Sequence, residues 1–71
     1  MRKYSPKKIP EDIEKRRRFL GEYVGKMVII PIEDEYIMGI LHYSNPIFYL
    51  KTSKKNRVLN LKNLDEILIQ E

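Results

Sequence analysis

Three short strands in direct succession, each closed by a turn, dominate the middle of this chain and leave it few folds. Residues 27–32, 36–43 and 47–52 are rich in Ile, Val, Tyr and Phe, and are separated by the acidic turn Glu33-Asp34-Glu35 and by Ser44-Asn45-Pro46. Short β-branched and aromatic runs bounded by turn formers are the signature of strands. Gly39 falls in the middle of the second run. A residue without a side chain weakens a strand unless it allows a sharp bend or a close backbone approach, so one of these is expected here. A strand bent at its middle can serve both halves of a small barrel.

The same strands are apolar on both faces. Val28-Ile29-Ile30, Tyr36-Ile37-Met38, Ile47-Phe48-Tyr49-Leu50 and Ile67-Leu68-Ile69 lack the polar alternation of half-exposed strands. At 71 residues the chain has room for one domain with a small core. It cannot cover two faces of every strand. The surplus predicts a partner, and exposed strand edges offer a means of pairing with it. A repeated head-to-tail contact closes into a ring where the rotation allows.

The flanks are polar. Residues 1–9 (MRKYSPKKI) read as a basic, flexible arm with Pro6 and no periodicity, and residues 10–71 as a single domain. Pro10 suits the first position of a helix, and Glu11, Asp12 and Glu14 place negative charge in its first turn. Ile13, Leu20 and Val24 at helical spacing, with Gly25 as the stop, predict a helix over 10–24. The run Lys15-Arg16-Arg17-Arg18 covers a full turn, its members about 100° apart. At least one of them, with Arg17 expected from its place on the side of Ile13 and Leu20, must lay its stem along the apolar face and send its head to water. The run reads either as a solvated helix face or as guanidinium forks that grip phosphates. Beyond the third strand, a turn at 53–56, a strand at 57–60, a turn at Leu61-Lys62-Asn63 and a last strand at 64–69 complete an all-β fold of five strands with an N-terminal helix.

Composition narrows the chemistry. Fourteen Lys and Arg against ten Asp and Glu leave +4, a balance that suits nucleic acid without requiring it. With no cysteine there is no disulfide framework, and a zinc site is not expected. No apolar run is long enough for a signal peptide or a membrane span, so a cytoplasmic chain without membrane contact is expected. His42 is the only histidine, and Ser5, Ser44, Thr52 and Ser53 have none at a motif-like spacing. Neither an enzyme nor a cofactor is expected. The acidic run 33–35 lacks the alternating oxygen ligands of a calcium loop.

Gly25-Lys26, an apolar strand, an acidic turn, an aromatic residue, Gly39, Leu41 and then Asn45 six residues after the glycine form a recognisable order. It resembles the first motif of the Sm-like superfamily. Within that superfamily the chain is most similar to the Hfq family of RNA chaperones, as an archaeal-type relative, and residues 39–68 lie beside the family pattern without a gap. The resemblance implies a small, strongly bent, five-stranded SH3-like barrel with an N-terminal helix, assembled as a homo-oligomeric ring of six copies, or seven as in archaeal relatives. The seam would join residues 57–60 of one copy to 66–69 of the next. The resemblance further implies binding of U-rich single-stranded RNA and assistance to RNA–RNA pairing.

Carried over by position, the uridine pocket takes Asn45, Pro46 and Ile47 from one copy and Leu61, Lys62 and Asn63 from its neighbour. Lys15, Arg16, Arg17 and Arg18 stand in for an arginine patch on the ring's rim. Where the family has a glutamine and a stacking phenylalanine, this chain has Pro46 and Ile47, so stacking is either weaker or passes to Tyr43 or Phe48. Lys62-Asn63 also reads as an ordinary turn with Asn63 in a left-handed conformation. Two other classes stay open: an SH3-like module that binds proteins, and a basic barrel that grips duplex DNA by its backbone.

Overall fold

The computed structural model describes residues 3–70. In chain order the elements are β1 (Tyr4–Lys8), α1 (Ile13–Gly21), β2 (Met27–Ile32), β3 (Glu35–Ser44), β4 (Ile47–Lys51), β5 (Asn56–Val58), a 3-10 turn (Leu61–Asn63) and β6 (Glu66–Gln70). The strands form a six-stranded antiparallel sheet in the order β1-β6-β2-β3-β4-β5. Its outermost strands, β1 and β5, do not pair with each other, so the sheet is open and not a closed barrel.

Gly39 marks the place where β3 changes partner. Residues of β3 up to Ile40 pair with β2, and those from Ile40 onward pair with β4. A Cβ at position 39 would stand 2.6 Å from the Lys51 carbonyl oxygen and 2.9 Å from Leu50 Cγ. Only glycine lets β4 come so close, and one long strand can then serve two neighbours. The β2–β3 turn places Glu33 (φ 49°) and Asp34 (φ 66°) in the left-handed region, which suits the twist of a two-residue hairpin. Among the described residues these are the non-glycine positions with positive φ, so the left-handed conformation that the turn reading allowed at Asn63 is not adopted there. Asn63 itself closes the 3-10 turn, its amide donating to the Asn60 carbonyl at 3.1 Å.

One face of the sheet is the core. Leu20 from α1 meets Val28, Ile30, Leu41, Leu50 and Ile67, all fully buried, with Ile9, Phe48, Leu59, Leu64 and Ile69 around them. Each such side chain contributes about 1.5–3 kcal/mol relative to exposure. The other face keeps the apolar surplus. Tyr36, Met38, Ile40, Ile47 and Val58 are exposed there, and the register aligns Pro6, Leu68, Ile29 and Met38 in one row across four strands.

Besides the open, six-stranded sheet in place of a closed, five-stranded barrel, three expectations change. Residues 4–8, read as part of a flexible arm, are an edge strand, paired from Tyr4↔Gln70 to Lys8↔Glu66, and Ile9 is buried; Met1 and Arg2 lie outside the described residues. Consequently β6 has β1 on one side and β2 on the other, so the seam expected at 66–69 is not an open edge. The strand forms because β6 offers an unpaired ladder, and Tyr4 adds a hydroxyl contact to Met38 Sδ at 3.8 Å. Finally, α1 is shorter than expected. It starts after Asp12, whose carboxylate accepts the Lys15 amide at 3.1 Å, and it gives way beyond Gly21 to a turn that ends at Gly25 (φ 92°). Among the described residues no helix is long and apolar enough to cross a membrane.

Candidate nucleic-acid interface

The four adjacent cations of α1 do different work. Arg16 is the buried one, only 6% exposed, because it lies one helical turn before the fully buried Leu20 and shares its face. Its Nε donates to the Pro10 carbonyl at 2.5 Å, Nη1 donates to the Leu61 carbonyl, and Nη2 sits 3.6 Å from Asp65 Oδ1. It thus ties the segment before the helix, the 3-10 turn and the start of β6 together. The carboxylate is 89% exposed, so this ion pair is worth little, and the bonds to carbonyls carry the effect. Arg16 is therefore removed from the expected phosphate rim, and Arg17 from the expected buried position. Ile13 does not mark the buried face, since it opens the helix and is 42% exposed.

Arg17, by contrast, is exposed and reaches across to the β3–β4 turn, where Nη1 donates to the Pro46 carbonyl at 3.1 Å. It stands between two open hollows. One, of about 480 Å³, is lined by Arg17, Pro46, Phe48, Val58, Leu61 and Lys62 among others. The other, of about 530 Å³, is lined by Arg17, Arg18, Gly21, Val24, Tyr43 and Phe48. Arg17 and Phe48 belong to both, so the hollows form one groove along α1. No carboxylate among the described residues lines either hollow.

Half of the expected pocket converges here. Pro46, Leu61 and Lys62 share the first hollow within a single chain, which the sequence reading had divided between two copies. Asn45 lies outside both hollows, its Oδ1 accepting the Tyr43 hydroxyl at 2.8 Å. Ile47 is exposed and faces the other side of the sheet, in register with Ser44. Asn63 borders an acidic hollow with Glu33, Asp34, Asp65 and Glu66. Lys15 is exposed and lines neither hollow.

Of the two aromatic residues proposed for stacking, Phe48 is nearly buried, whereas Tyr43 is 45% exposed; their ring centroids are 4.7 Å apart and tilted. Tyr43 is thus the accessible ring of the groove. The 3-10 turn that offers Lys62 is fixed locally, since Asn60 Oδ1 accepts the Lys62 amide at 3.1 Å. Val58, 68% exposed at the groove's β5 margin, was not singled out from the sequence, although an apolar residue on a short, polar edge strand is a readable signal.

Comparison with family models, with curated proteins and with solved structures finds no match to this chain. Among the described residues no group of His, Asp or Glu is placed to hold a metal ion.

Proposed function

We propose that this chain binds U-rich single-stranded RNA along the groove between α1, the β3–β4 turn and the 3-10 turn, as a protein of the Sm-like type. The observation that carries the reading is the meeting of Arg17, Arg18 and Lys62 with Tyr43, Pro46 and Leu61 on one carboxylate-free surface. Single-stranded RNA is held by cations along its phosphates and by aromatic or apolar groups against its bases. Held in an open groove, a bound strand stays available to a complementary one, which is the chemistry of assisted RNA pairing. The helix ahead of the strands, the change of partner at Gly39 and the short β4–β5 connection support the Sm-like relation, with β1 as an addition to that plan.

Removing Lys62 tests the groove. Lys62→Ala is expected to weaken oligo-U binding by about 1–3 kcal/mol and to reduce the preference for U over A, because it acts beside the bases. An unaltered preference in titrations against both oligomers would remove the 3-10 turn from the site.

Assembly into a ring of six or seven copies is proposed with one condition. A seam through β6 requires β1 to leave that edge, since the two cannot pair with β6 on the same side. Native mass spectrometry of the full chain against one lacking residues 1–8 is expected to show a larger assembly for the shortened chain. Equal masses would contradict the β6 seam. The exposed Tyr36, Met38 and Ile40 favour a second reading, a protein-interaction module, which a complete lack of RNA binding would bring forward.

A further inference from the structure

We infer that, while β1 holds the β6 edge and no neighbouring copy pairs with β5, a bound RNA strand does not end in the groove but crosses the free β5 edge onto the outer face of the sheet, where His42 and Tyr49 stack with its bases and Lys51, Lys54 and Lys55 meet its phosphates. The inference rests on the groove reading and extends its site to a second face.

Val58 joins the two surfaces. It lines the groove, and it is also the cross-strand partner of Tyr49, which in turn pairs with His42. Tyr49 and His42 side chains point to the face opposite the buried Phe48 and Leu50, because strand neighbours alternate. Their rings lie nearly parallel, 14° between planes and 5.3 Å between centroids, and both remain partly exposed. A preformed aromatic stack on an antiparallel sheet, with the edge beside it open, is a surface that a base can extend at no cost in ring ordering.

The charge beside the stack fits an anionic strand. Lys51 follows Tyr49 by two residues on the same face of β4, about 7 Å along the strand. The turn after it is held rigid by Thr52, whose Oγ1 donates to the Lys55 carbonyl at 2.7 Å and accepts the amides of Lys54 and Lys55 at 3.2 and 3.1 Å. Both lysines are exposed on that turn. From position 36 to position 64 the chain has five cations, Lys51, Lys54, Lys55, Arg57 and Lys62, and no Asp or Glu within that stretch. An apolar protein partner would need the aromatic stack but not this charge, so the lysine hairpin decides for nucleic acid.

The test is fluorescence anisotropy with oligo-U of about 4 and about 12 nucleotides, a short and a long length within the range of site sizes of small β folds. The longer oligomer is expected to bind the native chain about tenfold or more tightly than the shorter. Tyr49→Leu, which keeps an apolar residue of similar size on the strand, is expected to remove about fivefold or more from the long oligomer only. Lys54→Ala with Lys55→Ala, on an exposed turn closed by Thr52, is expected to flatten the salt slope for the long oligomer by about 0.7 for each phosphate no longer held.

Identical length dependence in the native chain and in both variants would overturn the inference and leave the groove reading intact. Loss of short-oligomer binding in Lys62→Ala together with unmoved Tyr49 and His42 ring resonances on saturation with the long oligomer would do the same. A native dimer that buries those rings and excludes RNA from them would overturn it as well. Failure of the native chain to bind either oligomer would instead sink the groove reading itself.

Discussion

Residues 36–64 and the segments that border them build neighbouring parts of one sheet with opposite electrostatic character. The first supplies most of β3, all of β4 and β5 and the 3-10 turn, with five cations and no Asp or Glu. The second supplies the β2–β3 turn and the start of β6, where Glu33 and Asp34 meet Asp65 and Glu66 around one hollow. A net charge of +4 conceals this division. The difference teaches that the sign of a surface is set by where the topology gathers charges; the total alone would make RNA binding close to a matter of chance. On the RNA reading proposed above, the first region would attract a polyanion and the hollow around Glu33 and Asp34 would not, although Lys7 and Lys8 of β1 offset part of the negative charge beside Asp65 and Glu66.

The strongest way to sharpen the contrast is to separate structural from binding cations within one helical turn. Arg16→Ala should lower unfolding stability by about 2–4 kcal/mol in urea titrations, because two carbonyls lose charged donors in a buried position. Arg16→Lys should recover little of it, since an ammonium cannot reproduce the planar fork. Arg18→Ala should stay within about 0.5 kcal/mol of the native stability.

A smaller effect is expected on binding. Arg17→Ala should weaken oligo-U and oligo-A alike by about 1 kcal/mol and reduce the salt slope by about 0.7 for each phosphate that the guanidinium held. Glu66→Gln, at the acidic end, should leave both affinities within about twofold of the native chain, and a large change there would break the division of the sheet into two regions. The least effect, and of opposite sign, belongs to the acidic turn. Replacing Glu33 with Asn and Asp34 with Gly should stabilise the fold by about 0.5–1 kcal/mol, as both positions are left-handed and the new pair suits that hairpin. Thermal unfolding at equal salt would read it.

Much of the fold is legible in the residues themselves. β2 spans the expected residues, and β3 and β4 lie within one residue of expectation at each end, because turn formers bracket each apolar run. Gly39 signals the close approach that lets β3 change partners, whereas the helix boundaries depart from the expected Pro10 and Gly25, Asp12 capping the start and Glu22 the end. What escapes is tertiary. β1 has no apolar periodicity of its own; β6 makes it a strand, and only its Lys residues and Pro6, typical of a protected edge, hint at that position. The burial of Arg16 is readable in its place four residues before Leu20, whereas the longer Ile13 to Leu20 line points to Arg17 instead. Of the site, Pro46, Leu61 and Lys62 were placed by position alone, whereas the contribution of Arg17 to the same hollow needs the helix to be docked.

The most direct measurement is amide chemical-shift mapping of the full, isotopically labelled chain as U-rich single-stranded RNA is added at fixed salt. The account predicts that shifts concentrate at Arg17, Arg18, Tyr43, Pro46-adjacent amides and Leu61 to Lys62, extend to Val58 and Tyr49 with longer RNA, and spare Glu33, Asp34, Asp65 and Glu66. Shifts centred on Lys7 and Lys8 of β1, or spread evenly over both regions of the sheet, would contradict it.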